Sequence, residues 1–210
     1  MKMQRAVQNR SRSDGTRRAL MLAAEALWSK NDFDTVPVEE ICVLAGVAKG
    51  TFYVHFPRKE YLLVMIVYSH ILPREADLLD FMASDQTAFD ICDRIARSIA
   101  PRVLPLDKRL VRRGIEESFG IATRDIDKIR GGDRNLARFF HPIVRRGQDR
   151  GELAPGWNAD MLAFMLAWGI RQGILAWSVG FFADASFERE LRMRVEIVLN
   201  GARTPSAIRD

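Results

Sequence analysis

The chain has 210 residues, a formal net charge of +5, 48% hydrophobic and 28% charged residues. This is an ordinary globular composition, long enough for one large domain or two small ones, and it excludes a low-complexity chain. The two cysteines, Cys42 and Cys92, lie far apart in apolar helical patterns, which excludes a disulfide scaffold and fits a reducing cytoplasm.

The positive charge is uneven. Lys2, Arg5, Arg10, Arg12, Arg17 and Arg18 are opposed only by Asp14, so residues 1–13 read as a basic, flexible arm suited to an anionic partner. The first predicted helix covers 16–30, where Leu20, Ala23, Ala24, Leu27 and Trp28 form one apolar stripe. Asn31-Asp32-Phe33-Asp34 ends it. A short helix follows from Val38 to Ala45, with Pro37 in its first turn and with Ile41 and Leu44 expected to point inward. Gly46 breaks that helix, as a turn needing positive φ requires. A second short helix runs from Ala48 to about His55. Pro57 opens a longer one, whose apolar face begins Leu62, Leu63, Met65, Ile66 and which Pro73 should kink or end.

Further helices are predicted at about 86–103, 107–123, 133–150, 159–180 and 187–201. Pro105, the Gly131-Gly132 pair and the Gly151–Asn158 segment separate them. Strand-like alternation is scarce, so the fold class is all-α. The stretch Met161–Phe182 is membrane-like in length, but Arg171 and Gln172 interrupt it. A charge at mid-bilayer costs about 2.5–3.5 kcal/mol, and a helix of a globular protein is expected instead.

Two short helices joined by a glycine turn and stacked on a longer first helix make a helix-turn-helix, at about residues 36–56. Its second helix would enter the DNA major groove. Helical spacing turns Phe52 and Phe56, with Val47, inward. Lys49, Thr51, Tyr53, Val54 and His55 are left to face outward or sideways. That outward set mixes charge, hydroxyls, an aromatic and an imidazole, and can reach both base edges and phosphates.

The stretch Phe33–Leu63 resembles the tetracycline-repressor (TetR) family of bacterial regulators. Ile41, Ala45-Gly46-Val47, Lys49-Gly50-Thr51-Phe52-Tyr53, His55-Phe56 and Lys59-Glu60-Tyr61-Leu62 carry the resemblance. A weaker echo lies in Val144–Leu153, similar to the end of the family's seventh helix and the turn after it. The resemblance implies that Lys49 and Thr51 touch bases or the adjacent backbone. It implies that Gly50 sits where the helix approaches DNA closely, that Tyr53 and His55 hydrogen-bond phosphates, and that Lys59 anchors a phosphate. It implies an N-terminal helix-turn-helix domain (14–60) continuous with a larger helical domain for ligand binding and dimerisation (61–210). The last two helices would pair with their symmetry mates in a four-helix bundle. One departure stands out: Pro37 and Ala48 occupy positions where the family often has a capping Ser or Thr. Thr35 is left to cap from further out, and Glu39 and Glu40 suit scaffolding better than base reading.

In the C-terminal part, Gly169, Gly173 and Ala176 line one side of helix 159–180. They would let another helix come close, either a partner's or one of the same chain. Leu191, Val195, Val198 and Leu199 are assigned to the dimer interface. Large apolar residues dominate the central helices, and Glu116, Glu117, His141, Arg171 and Gln172 interleave with them. Phe119, Trp168, Arg171 and Gln172 are the candidate effector-binding residues, an apolar site with a few placed polar groups.

No catalytic residues, cofactor or metal are expected. Gly46–Thr51 lacks P-loop spacing. His55, His70 and His141 show no zinc spacing with either cysteine, and no Gly-x-Ser-x-Gly signature occurs. The expected function is a cytoplasmic, nucleoid-associated homodimer that binds a palindromic double-stranded operator and is released by a small-molecule effector. The alternative is a constitutive DNA-binding protein with no effector.

Overall fold

A computed structural model describes residues 2–73, 75–124 and 136–204, with side chains at all of these except 2–12, 75 and 121–124. The described residues are all-α. The helices are α1 (Lys2–Trp28), α2 (Val38–Ala45), α3 (Lys49–His55), α4 (Lys59–Ile71), α5 (Glu75–Ala83), α6 (Ala88–Val103), α7 (Lys108–Arg124), α8 (Leu136–Asp149), α9 (Ala159–Ser178) and α10 (Phe187–Gly201). β-type pairing among the described residues is limited to one bridge, Leu153 with Arg203. The Gly131-Gly132 break lies outside the described residues.

The first helix begins earlier than its apolar stripe. Helical backbone runs from Lys2, through the span predicted to be a flexible arm. The stripe detects only the part of a helix that packs, and Leu20, Ala23, Ala24 and Trp28 are indeed its buried residues. Upstream there is no proline to stop the backbone, and Gly15 lies exposed with open space around it.

Local chemistry ends the later helices where expected. Gly46 takes φ +67 and its N–H returns to the carbonyls of Cys42 and Val43, closing α2 in a left-handed cap. Leu72 is extended because it precedes Pro73, so α4 stops at Ile71. Thr87 and Asp90 form a reciprocal capping box at the start of α6. Neither Pro37 nor Ala48 provides a side-chain cap. Thr35 does not substitute for one, since its hydroxyl donates to Asp32 O.

One apolar core runs without a break from Leu20 on α1 to Leu199 on α10. Two close helix contacts shape it. At Gly114 on α7 an added Cβ would lie 2.5 Å from Val67 Cγ2 on α4, so glycine lets the two helices touch. At Gly173 on α9 an added Cβ would lie 2.6 Å from Leu191 Cδ2 on α10. The small-residue side of α9 therefore receives a helix of the same chain. Leu191, Val195 and Leu199, assigned to a dimer interface from sequence, are buried within the chain, where α10 packs on both α9 and α6.

The segment Val144–Leu153 is a bracket. Arg146 donates to the carbonyls of Phe81 (3.0 Å), Met82 (2.9 Å), Ser84 and Gln86 (3.0 Å). Gln148 donates to Ala154 O and Trp157 O. Gly151 takes φ +73 to turn the chain, and Glu152 accepts from Ala88 N at 2.6 Å, holding the first turn of α6. The sequence echo in this stretch thus marks a joint between α5, α6 and α8.

Candidate DNA interface and effector site

The reading head is built from two phenylalanines one turn apart. Phe52 and Phe56 are fully buried with ring centroids 5.7 Å apart, and this fixes the rotation of α3. The opposite face is left outside. Lys49 and Gly50 are exposed, Tyr53 is 49% exposed, and Thr51 and His55 are half-buried. These five expected contact residues therefore share a short helix whose inner face is locked.

Gly50 has ordinary helical backbone, and an added Cβ would meet nothing within 4 Å. The fold does not need glycine there; free space in front of the backbone remains for something else to approach. Lys49 forms an ion pair with Glu39 on α2. The hydrogen bond from Lys49 holds the Glu39 carboxyl below its ordinary range, and the same bond pushes the Lys49 ammonium up. Glu39 thus scaffolds the first lysine of α3 and also competes for it. Replacing Glu39 by Gln frees that lysine and removes one negative charge beside it. A rise of about three- to tenfold in duplex affinity at low salt is expected, shrinking as salt screens it. Fluorescence anisotropy titrations at two salt concentrations check this, and an unchanged or weaker affinity would count against it.

Lys59 is committed elsewhere. Its Nζ donates to Phe33 O (2.7 Å) and Val36 O (2.9 Å) and sits 4.4 Å from the Phe33 ring centroid. It clamps the α1–α2 loop onto α4, with one N–H beyond those two bonds. Sequence reasoning also missed the surface of α2. Leu44, expected to point inward, is 55% exposed, and Val43 is 81% exposed. Apolar residues at every position from 41 to 45 leave the helix register unreadable from pattern alone. Arg17 was another omission. Its guanidinium lies 5.5 Å from the Phe56 ring centroid and 3.3 Å from Met65 Sδ, joining α1 to the end of α3 and to α4.

In the C-terminal part, three of the four candidate effector residues come together. The Arg171 guanidinium lies over the Phe119 ring at 4.3 Å and over the Trp168 ring at 4.7 Å, and the rings meet edge-to-face at 5.6 Å. Gln172 is half-buried beside them in sequence. Glu116, Glu117 and His141 belong to other pairs, with Arg112, Arg113 and Asp160.

Two outward faces are apolar. Met161, Phe164 and Met165 are exposed at i, i+3 and i+4 on α9, and Met193 and Ile197 lie four apart on α10. This differs from the sequence assignment by one face of each helix. Cys42 and Cys92 are buried free thiols, and burial pushes both thiols up. Among the described residues no group of three His, Cys, Asp or Glu could hold a metal, and no helix is long and apolar enough to cross a membrane.

Residues 20–66 match the family model for bacterial regulatory proteins of the tetR family. The chain is 24% identical over 203 residues to the HTH-type transcriptional regulator UidR of Escherichia coli, covering 89% of this chain and 94% of that one. It is 26% identical over 159 residues to the HTH-type transcriptional repressor BepR of Brucella suis, covering 72% and 75%. Its fold is similar to that of the Thermus thermophilus TetR-family repressor FadR in complex with lauroyl-CoA, with a TM-score of 0.71, 19% identity and coverage of 92% and 98%. It is also similar to Bacillus subtilis FadR in complex with stearoyl-CoA, with a TM-score of 0.63, 17% identity and coverage of 89% and 99%. The matched span holds the turn at Gly46, the locked face of α3 and the Lys59 clamp, and over it the chain is similar to bacterial regulatory proteins of the tetR family.

Proposed function

We propose that this regulator is a repressor that binds a palindromic operator as a homodimer in the cytoplasm, and that a small-molecule effector releases it. It carries no catalytic activity. The observation that supports DNA reading is the outward face of α3, held in one orientation by Phe52 and Phe56. Lys49, Thr51, Tyr53 and His55 take base edges and phosphates, with Gly50 at the point of closest approach. Lys59 serves mainly to keep the α1–α2 loop on α4. The exposed stripes on α9 and α10 are what a partner copy would cover. A two-fold dimer would place the two α3 helices about 34 Å apart, one turn of DNA. In this scheme residues 1–13 supply basic charge, 14–60 the reading head, and 61–210 the effector and dimer functions.

Selection of bound duplexes from a random pool tests the reading. A palindrome with half-sites one turn apart is the expected product, and recovery of no shared sequence would overturn it. Gly50→Ala adds a sharper check. Alanine is the better helix former, so the fold should gain about 0.5 kcal/mol. The same methyl should weaken binding to the selected duplex by about tenfold. A variant that is both more stable and equally tight would remove Gly50 from the interface.

A further inference from the structure

Among the described residues, Arg171 is a half-buried cation without an anion. Its Nε is buried and has no hydrogen-bond partner. Its Nη1 reaches only Tyr68 Oη, at 3.5 Å. The Tyr68 hydroxyl donates to Ser118 Oγ (3.3 Å), which donates to Ile115 O (2.6 Å), so this chain of hydroxyls ends on a carbonyl. Among the described residues no Asp or Glu lies within ion-pair distance of Arg171. The guanidinium is flanked instead by the faces of Phe119 and Trp168. Aromatic faces attract a cation but do not satisfy its N–H groups, and a partly dry guanidinium with a spare donor is matched by a planar anion.

We propose that Arg171, Phe119 and Trp168 recognise an organic anion: a carboxylate or sulfonate head paired with the guanidinium, on an apolar body lying along the two rings. This rests on the effector-release reading above and deepens it by naming the ligand's chemical class. It also gives the site a route to the reading head. Tyr68 is on α4, Ser118 and Phe119 are on α7, and Arg171 is on α9. An anion drawing the guanidinium toward itself competes with its long contact to Tyr68, and α4 is the helix that carries the Lys59 clamp.

Two fluorescent probes with a similar ring body separate charge from shape: anilinonaphthalene sulfonate, an anion, and N-phenyl-1-naphthylamine, which is neutral. Both are titrated into the full-length protein without DNA, alongside Arg171→Met, Arg171→Lys, Phe119→Ala and Trp168→Ala, each first shown to melt cooperatively. The sulfonate is expected to bind more tightly than the neutral probe. Arg171→Met should weaken the sulfonate at least tenfold and leave the neutral probe within about twofold. Arg171→Lys should fall between, because it keeps the charge and loses the fork. If the sulfonate is indifferent to Arg171→Met, or the neutral probe binds as tightly to the native protein, the anion class is wrong while an apolar site can stand. If neither probe responds to Phe119→Ala or Trp168→Ala, the site itself is wrong.

Discussion

Phe52→Ala should abolish operator binding and lower the melting temperature of the reading head. The ring is fully buried beneath α3, against Phe56. Truncating a buried phenylalanine costs about 3–5 kcal/mol, against a total stability of roughly 5–15 kcal/mol for a whole domain. The loss falls on a small unit whose apolar support comes from Leu20, Ala24, Trp28, Ile41 and Phe56. With the inner face gone, α3 loses the contact that sets its rotation, so Lys49, Thr51 and Tyr53 no longer point one way. Circular dichroism melts and anisotropy titrations check the two halves of this statement. A variant that melts within about 2 °C of the native protein and binds its operator normally would show that α3 is held by something else.

Arg146→Met should destabilise the opposite end of the molecule by about 3 kcal/mol while leaving operator affinity unchanged at 25 °C. One guanidinium serves four carbonyls: those of Phe81 and Met82 in the last turn of α5, and those of Ser84 and Gln86 in the following loop. The last carbonyls of any helix lack partners of their own. Hydrogen bonds from a charged donor are worth about 1.5–3 kcal/mol each and do not simply add when one group makes several. Methionine preserves much of the stem's packing and removes every donor. For a chain of this length the melting temperature should fall by about 6–12 °C, and Arg146→Lys should recover only part of it. Limited proteolysis should find new cleavage between residues 84 and 87. A melt unchanged to within about 2 °C would mean that water replaces the arginine without loss.

These two sites differ in how legible they were. Phe52 and Phe56 announce their role by spacing, because residues four apart share a helix face and no polar neighbour interrupts them. Gly46 announces its own, because a left-handed cap favours glycine. Arg146 does not. Its acceptors are backbone carbonyls some sixty residues upstream, and a carbonyl has no sequence signature. Lys59 has a role its position does not announce for a related reason: a lysine at a helix start invites an external anion, and here two carbonyls and a ring hold it as well. On α10, Leu191, Val195 and Leu199 showed correctly that one face is apolar. Periodicity does not say whose helix covers that face, and it is α9 and α6 of the same chain. Phe119, Trp168 and Arg171 were grouped by chemistry, an apolar run with one cation in it. Tyr68 and Ser118 were not, because Tyr68 comes from another helix and a serine beside Phe119 carries no signal of its own.

The Lys59 clamp sets where the molecule can bend. Two hydrogen bonds and a ring contact fasten the α1–α2 loop to the first residue of α4, so the chain boundary near residue 60 is a weld. Helical backbone next stops at Leu72-Pro73, where Arg102 Nη1 donates to Leu72 O at 3.0 Å. If the proposed effector release moves the head, head and α4 would swing together as a lever of thirteen helical residues, about 20 Å long at 1.5 Å per residue. On such an arm a tilt of about 6° carries the far end about 2 Å. Two arms tilting in opposite senses would change the separation of the two reading helices by about twice that. A slight shift where α4 meets α7 would thereby be magnified into a misfit with the spacing of the major grooves.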